Sequence, residues 1–151
     1  MTSKQDPRAI VVGVDGSEPS IAALREAAGL SIRLGAPVQA LLCWSIPTFY
    51  QVPYSVGTFD FKGAAQGILD TAIEAAFGMD WPENLTARLK QGPPRQSLIE
   101  ASKETPLLVL GRRGFGGFTG LLMGSVSSAC ASRAHCPVLI VHAPMLGENH
   151  V

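Results

Sequence analysis

The sequence lacks the charge imbalance and the long apolar runs that mark several classes of protein. Twelve basic and twelve acidic side chains give a formal net charge of zero, whereas nucleic-acid binding ordinarily needs a basic surplus that displaces counterions. No apolar run reaches the roughly 18 residues that a membrane-spanning helix requires. The first eight residues are polar and carry no apolar signal segment. We therefore expect a cytoplasmic protein that binds neither nucleic acid nor membranes.

Cysteine is scarce and shows no paired pattern. Cys43, Cys130 and Cys136 are an odd number and form no C-x-x-C motif. His135 and His142 flank the last apolar run, at spacings that do not match those of zinc ligands. We expect free thiols in a reducing compartment and no protein-bound metal site.

Apolar runs alternate with helical patterns along the whole chain of 151 residues, which suits one domain. We predict the domain over 8–143, with an N-terminal tail over 1–7 and a C-terminal tail over 144–151. Apolar or alternating runs predict strands at 8–14, 38–44, 85–90, 107–110 and 137–142. Residues 45–59, rich in proline and aromatics, are predicted as a loop.

Helices are predicted between these strands from apolar residues at helical spacing. The first begins after Ser17 and ends at Gly35, with Ile21, Leu24, Ala28 and Ile32 in series; the second ends near Gly78, with Ala64, Ile68, Ala72, Ala75 and Ala76 in series. A short helix follows Pro94, with Leu98, Ile99 and Ala101 as core contacts, and the last spans 125–133. Strands that alternate with helices and are largely apolar on both faces predict a parallel sheet covered on both sides.

The predicted topology points to a ligand site. If the strand order is 3-2-1-4-5, the winding reverses between the first and fourth strands, and ligands in such sheets lie beyond the strand ends at that switch point. Those ends are Asp15 and Gly111. Four glycines follow within residues 111–117, where exposed N–H groups can form an anion site. Gly124-Ser125 then opens a helix whose first N–H groups favour phosphate.

The two commonest nucleotide fingerprints are absent. G-x-G-x-x-G fails because Thr119 stands where the third glycine is needed, and no Gly-Lys pair of the Walker type occurs. The pattern present is Gly111-x2-Gly114-x9-Gly124-Ser125. It resembles the motif of the nucleotide-binding branch of the universal stress protein family.

The resemblance extends over nearly the whole chain. The first strand with Val14-Asp15-Gly16-Ser17 and the closing run Cys136-Pro-Val-Leu-Ile-Val141 are also similar to that family. It implies a single-domain, flavodoxin-like three-layer α/β sandwich with a five-stranded parallel sheet, in a bacterial, cytoplasmic, nucleotide-binding stress protein. The ligand implied is ATP, accompanied by Mg²⁺ or Mn²⁺.

Site residues follow from the same likeness. It implies that Asp15 lies near ribose and phosphate, that the backbone of Trp44 contacts the adenine edge, and that Leu110 lies near the base. The cradle for phosphate and ribose comprises Gly111, Gly114 and 124–127. The complete candidate set is Gly13, Val14, Asp15, Trp44, Leu110, Gly111, Arg112, Arg113, Gly114, Gly124, Ser125, Val126 and Ser127.

Simpler interpretations stand beside these roles. Asp15 is also an ordinary turn residue before glycine, Ser125 also suits a helix N-cap, and Trp44 also suits the core. Arg112 and Arg113 depart from the pair commoner in the family; they are either solvated charges or partners of phosphate.

No catalytic set is predicted. The sequence has no G-x-S-x-G elbow and no Lys or Gln beside the glycine segment to align an attacking water. We expect binding of ATP without efficient hydrolysis, slow turnover being left open. A cyclic-AMP sensor or buffer and a ligand-free structural dimer are the competing functions.

The last strand suggests a partner. Residues 138–141 are apolar on both faces, although this strand is predicted to lie at a sheet edge. An edge of that kind invites pairing, and the family resemblance also implies a homodimer. We therefore predict a homodimer formed through residues 137–142.

Overall fold

The computed structural model describes residues 5–47, 59–114 and 123–143. Five strands alternate with four helices. The strands are β1 (Ile10–Gly13), β2 (Val38–Trp44), β3 (Leu85–Gln91), β4 (Leu108–Gly111) and β5 (Val138–Val141). The helices are α1 (Glu18–Leu34), α2 (Phe61–Phe77), α3 (Pro94–Ala101), which continues into a 3₁₀ turn at Ser102–Glu104, and α4 (Ser125–Arg133).

The strands form one parallel sheet in the order β3-β2-β1-β4-β5. This confirms the predicted strand order and fold class. The winding reverses between β1 and β4, so their carboxyl ends leave a crevice between the diverging connections.

Two apolar layers cover the sheet. Alternate β2 residues face opposite sides: Val38, Ala40 and Leu42 join a core under α1 and α2, whereas Leu41 joins a core with Leu98 and Cys130 under α3 and α4. This period of two follows from the pleat. It decides which β2 side chains can reach the crevice.

Helix α1 begins and ends as the sequence indicates, but its buried face differs. Ser17 caps the helix by accepting a hydrogen bond from the N–H of Ser20, and Gly35 ends it at φ 64°. Ile32, the last residue of the series at helical spacing, is 85% exposed. The buried position in the last turn belongs to Ser31, whose hydroxyl donates to the carbonyl of Ala36 (2.7 Å) and accepts from the Asn84 amide (2.6 Å).

Helix α2 buries only part of the predicted series: Ala72 and Ala76 lie on the core side, whereas Ala75 is exposed. Asp60 caps it by accepting a bond from the Gly63 N–H (2.8 Å), so the helix begins at Phe61. Its buried residues are Ala65, Leu69, Ala72 and Ile73, whereas Ala64 and Ile68 are exposed. Leu69 and Ile73 fill the space over the sheet, and Ala65 and Ala72 lie on the same buried face. The predicted contacts of α3 at Leu98 and Ala101 are confirmed by their burial.

Candidate functional site

A cavity of about 510 Å³ opens at the carboxyl ends of β1, β2 and β4. It lies at the switch point of the sheet and has the size of a pocket for a small organic ligand. Its lining residues are Gly13, Val14, Asp15, Ser17, Ser20, Leu41, Cys43, Pro94, Leu98, Leu110, Gly111, Arg113, Gly114, Met123, Gly124, Ser125, Val126 and Ser127.

The turn between β1 and α1 positions the one carboxylate of this lining. Oδ1 of Asp15 accepts from the N–H of Ser17 (2.9 Å) and from the Ser17 hydroxyl. Gly16 supports the turn at φ 87°. Asp15 is therefore a turn residue, as the simpler interpretation holds, and it also lines the cavity. Ser17 hydrogen-bonds to Oδ1 of Asp15, and the other carboxylate oxygen, Oδ2, faces Gly114.

Two glycines of the motif are required by contacts within the protein. A Cβ on Gly111 would lie 2.6 Å from the backbone carbon of Pro19 in α1. A Cβ on Gly114 would collide with Oδ2 of Asp15. Gly111 thus lets the end of β4 approach α1, and Gly114 lets the loop approach the Asp15 carboxylate. Both close approaches draw the two sides of the cavity together.

The base of the loop that follows β4 is closed by one carbonyl. Arg112 O accepts from the N–H of Gly124 (2.8 Å) and from the hydroxyl of Ser127 (2.6 Å). The N–H of Arg112 donates to the carbonyl of Val141 in β5 (2.8 Å). The role of Arg112 in these contacts belongs to its backbone, and its side chain is not part of the cavity lining. Ser127 is 3% exposed, and its hydroxyl proton is used in the hydrogen bond to Arg112 O.

The N-terminus of α4 faces the cavity without a side-chain cap. Its N-cap is Gly124, at φ −73°, with no capping hydrogen bond from a side chain. The alternative of Ser125 as N-cap is therefore wrong; Ser125 is the first helical residue and is exposed. The N–H groups of the first turn have no partners within the helix and carry partial positive charge. Arg113 adds a full positive charge to the same lining.

The structure brings eleven of the thirteen predicted residues to the cavity and leaves two outside its lining. Besides Arg112, the exception is Trp44, whose side chain packs against the core beneath α1 and α2. The predicted contact of its backbone with a base remains a prediction.

The cavity also has residues that the sequence analysis did not select. Leu41 and Cys43 come from β2, and Pro94 and Leu98 from α3; Ser17, Ser20 and Met123 complete the set. Side chains alternate between the two faces along a strand, so the sequence does place Leu41 and Cys43 on one face of β2. That this face packs against α3 is visible only in the structure. No pattern in the sequence of α3 indicated that it contributes to the cavity.

The thiols near the cavity are protonated at neutral pH. Burial raises the pKa of the Cys43 thiol, while a hydrogen bond with Ser97 and the charges of Arg88 and Lys90 act in the opposite sense. Burial raises the pKa of Cys130, behind the cavity wall, to about 11. Cys43 therefore offers a neutral, weakly polar surface to a ligand.

Comparison with known proteins identifies the family. The family model described as "Universal stress protein family" matches residues 7–142. The chain belongs to the universal stress protein family. Among curated family members, one from Mycobacterium tuberculosis is 30% identical over 148 residues, which cover 94% of this chain and 50% of the relative. One from Methanocaldococcus jannaschii is 28% identical over 142 residues, covering 89% of this chain and 82% of the relative. The chain spans about half the length of the mycobacterial relatives it matches.

Solved universal stress proteins share the fold. UspA from Lactobacillus plantarum superposes with a TM-score of 0.73 at 23% identity, covering 91% of this chain and 99% of that one. A universal stress protein crystallised in complex with cAMP has a TM-score of 0.65 at 28% identity, covering 89% and 96%. One from Archaeoglobus fulgidus, in complex with dAMP, has a TM-score of 0.60 at 22% identity, covering 88% and 96%. Within the described residues of the present chain, no helix is long and apolar enough to cross a membrane.

Proposed function

We propose that this universal stress protein binds ATP in the cavity and serves as a nucleotide-responsive stress or signalling component, without efficient hydrolysis. The observation that carries the proposal is the uncapped N-terminus of α4, aimed into a cavity at the switch point of the sheet. Binding of cAMP and dAMP by family members supports a nucleotide as the ligand.

The phosphate end of the proposed site is formed by the first turn of α4 and by Arg113. The free N–H groups of Ser125 and Val126, together with Arg113, supply donors for an anion. A hydrogen bond to a charged group contributes about 1.5–3 kcal/mol. Three or four such bonds support roughly micromolar affinity after the cost of association. The N-terminus of α1 also borders the cavity through Ser17, so positive ends of two helix dipoles meet there.

The base end of the proposed site is apolar. Leu41, Cys43 and Leu98 bring two strand side chains and one helix side chain to the cavity wall. An adenine ring would lie against these side chains, with its polar edge toward the end of β2. Apolar contact alone does not select a nucleotide. In this proposal Arg113 and the α4 amides supply that selection by binding phosphate.

A divalent ion fits the site through the nucleotide. Carboxylate oxygen is a ligand that Mg²⁺ and Mn²⁺ accept, and Mg²⁺ typically binds one or two carboxylates together with substrate phosphates. Oδ2 of Asp15 faces the loop at Gly114. Among the described residues no cluster of three or more potential metal ligands exists. The ion would therefore arrive with the phosphates and take Asp15 as its ligand.

Cyclic AMP is the second candidate, because a family member at 28% identity was crystallised with it. The two candidates differ in how many donors they use: cyclic AMP has a single phosphodiester, whereas the amides of α4 and Arg113 provide for more than one phosphate. Calorimetry with ATP, ADP, AMP and cyclic AMP on the same preparation ranks them. Tighter binding of cyclic AMP than of ATP would contradict the assignment of ATP.

The cavity chemistry favours retention of the nucleotide over its hydrolysis. Its described lining contains no Lys, Gln or His, and one oxygen of its carboxylate is engaged by Ser17. An enzyme of this class needs a group that orients the attacking water. We expect phosphate release with Mg²⁺ to stay near the uncatalysed rate.

A ligand-free structural dimer would instead yield no nucleotide in the mass spectrum of natively purified protein, whereas the proposal expects bound ATP there. The three free thiols suit a cytoplasmic location.

A further inference from the structure

The charges of this neutral chain are distributed unevenly about the sheet. Helix α2 and its flanking residues carry five carboxylates and one cation: Asp60, Asp70, Glu74, Asp80, Glu83 and Lys62. On the opposite side, beyond β3 and α3, the exposed or partly exposed cations include Arg88, Lys90 and Arg95. The exposed side chains of α2 itself are mainly acidic, with Arg25 of α1 at its C-terminal end, whereas the charged side chains of β3 are basic.

The positive surface is centred on one face of the edge strand β3. Register pairs Arg88 with Leu41 and Lys90 with Cys43, and paired residues of neighbouring strands point to the same side. Both cations thus face the side of α3. The charges of Arg88 and Lys90 act on the Cys43 thiol, which agrees with this placement. In the part of the chain that the structure describes, α3 packs on β2, and Lys90 of β3 is exposed.

The negative surface lies on the outward side of α2. Asp70 and Glu74 are both exposed and four residues apart, so they lie on one stripe about 6 Å apart along the helix axis. Arg88 and Lys90 are two residues apart on a strand, which separates them by about 6.6 Å. The two pairs match in spacing and are opposite in sign.

We propose that α2 of one copy of this chain docks on the Arg88–Lys90 face of β3 in a second copy. The contact joins two different surfaces of the chain, so it is heterologous where each copy uses them with different neighbours, and repetition of it then forms rings or open chains of copies. It is distinct from pairing through β5, which lies at the other edge of the sheet.

Sedimentation velocity over a range of protein concentrations tests this proposal. At about 20 mM salt the charges act over about 20 Å, and at about 300 mM over about 6 Å. We expect the mean mass to rise with concentration at low salt, and the association constant to fall at least about tenfold at high salt. A mass that is independent of concentration and salt would overturn the proposal.

A charge exchange identifies the surfaces. Variant Arg88→Glu/Lys90→Glu and variant Asp70→Lys/Glu74→Lys should each lose the low-salt association, and an equimolar mixture of the two should restore it. The control Lys103→Glu/Arg133→Glu changes the net charge as much as the first variant but leaves β3 intact, and it should still associate. Circular dichroism and thermal unfolding confirm that each variant is folded. If the mixture of folded variants sediments no faster than its components, the docking assignment is wrong.

Discussion

Replacement of Gly124 by valine is the sharpest test of the nucleotide site. The backbone of Gly124 has φ −73° and ψ 169°, a conformation that valine adopts without strain. A Cβ there would lie 3.3 Å from Cα of Arg113 and 3.5 Å from N of Gly114. The two further methyl groups of valine extend from that tight position. We therefore expect valine to displace the Arg113–Gly114 segment while the helix and the sheet keep their structure.

The expected loss of ATP affinity follows from the donors that move. Displacement of one charge-assisted hydrogen bond costs about 1.5–3 kcal/mol, which corresponds to roughly 10- to 100-fold in Kd. Isothermal calorimetry measures this change, and Gly124→Ala should give a smaller loss because its Cβ needs a shift of only tenths of an ångström.

A matched control separates the site from the general effect of valine. An added Cβ on Gly29 in α1 meets no atom within 4 Å, so Gly29→Val should leave ATP affinity unchanged. If folded Gly124→Val binds ATP as tightly as the unaltered protein, the assignment of the cavity to phosphate is refuted.

Three further predictions concern stability and assembly. Thr105 is buried, and its hydroxyl donates to the carbonyl of Ala9 (2.6 Å), so Thr105→Val should lower the free energy of unfolding in urea by about 1–3 kcal/mol, whereas exposed Thr86→Val should stay within about 0.5 kcal/mol. The pKa of Cys130 is raised to about 11 in the folded protein; the folded state therefore holds this proton where the unfolded chain has lost it, and the free energy of unfolding should fall as pH rises from about 9 to about 11, a decline that Cys130→Ala should reduce. Pairing through Val138–Val141 should give a homodimer that persists at high salt, and a monomer at micromolar concentration in sedimentation would contradict it.

The positions of the strands were predictable because each strand has a local signal in the sequence, whereas the strand order was a premise that these local patterns do not supply. β1, β2 and β4 are short apolar runs that end at Asp15, Trp44 or glycine, and helical patterns separate them. A parallel sheet follows from that alternation alone. The position of the cavity followed in turn, because the switch point depends on strand order and not on any side chain.

The details that escaped prediction depend on contacts between distant parts of the chain. Ile32 and Ser31 differ by one position on α1, and only the amide of Asn84, 53 residues away from Ser31, shows which one faces inward. The need for glycine at 111 likewise arises from Pro19 in another helix. Such contacts produce no periodic pattern in the sequence. The glycine motif could therefore be recognised from the sequence, but the contact with Pro19 that requires glycine at 111 could not.

The double hydrogen bond at the carbonyl of Arg112 has a mechanical consequence. The same peptide segment holds the start of α4 through that carbonyl and holds β5 through its N–H. A force that shifts the loop during ligand capture would be transmitted to the outer strand of the sheet, and deformation of that strand would act back on the loop. By thermodynamic reciprocity, whatever joins that strand would then change ligand affinity by the same factor by which the ligand changes the joining. Arg112 would therefore couple the proposed ligand site to the outer strand through its own two backbone groups.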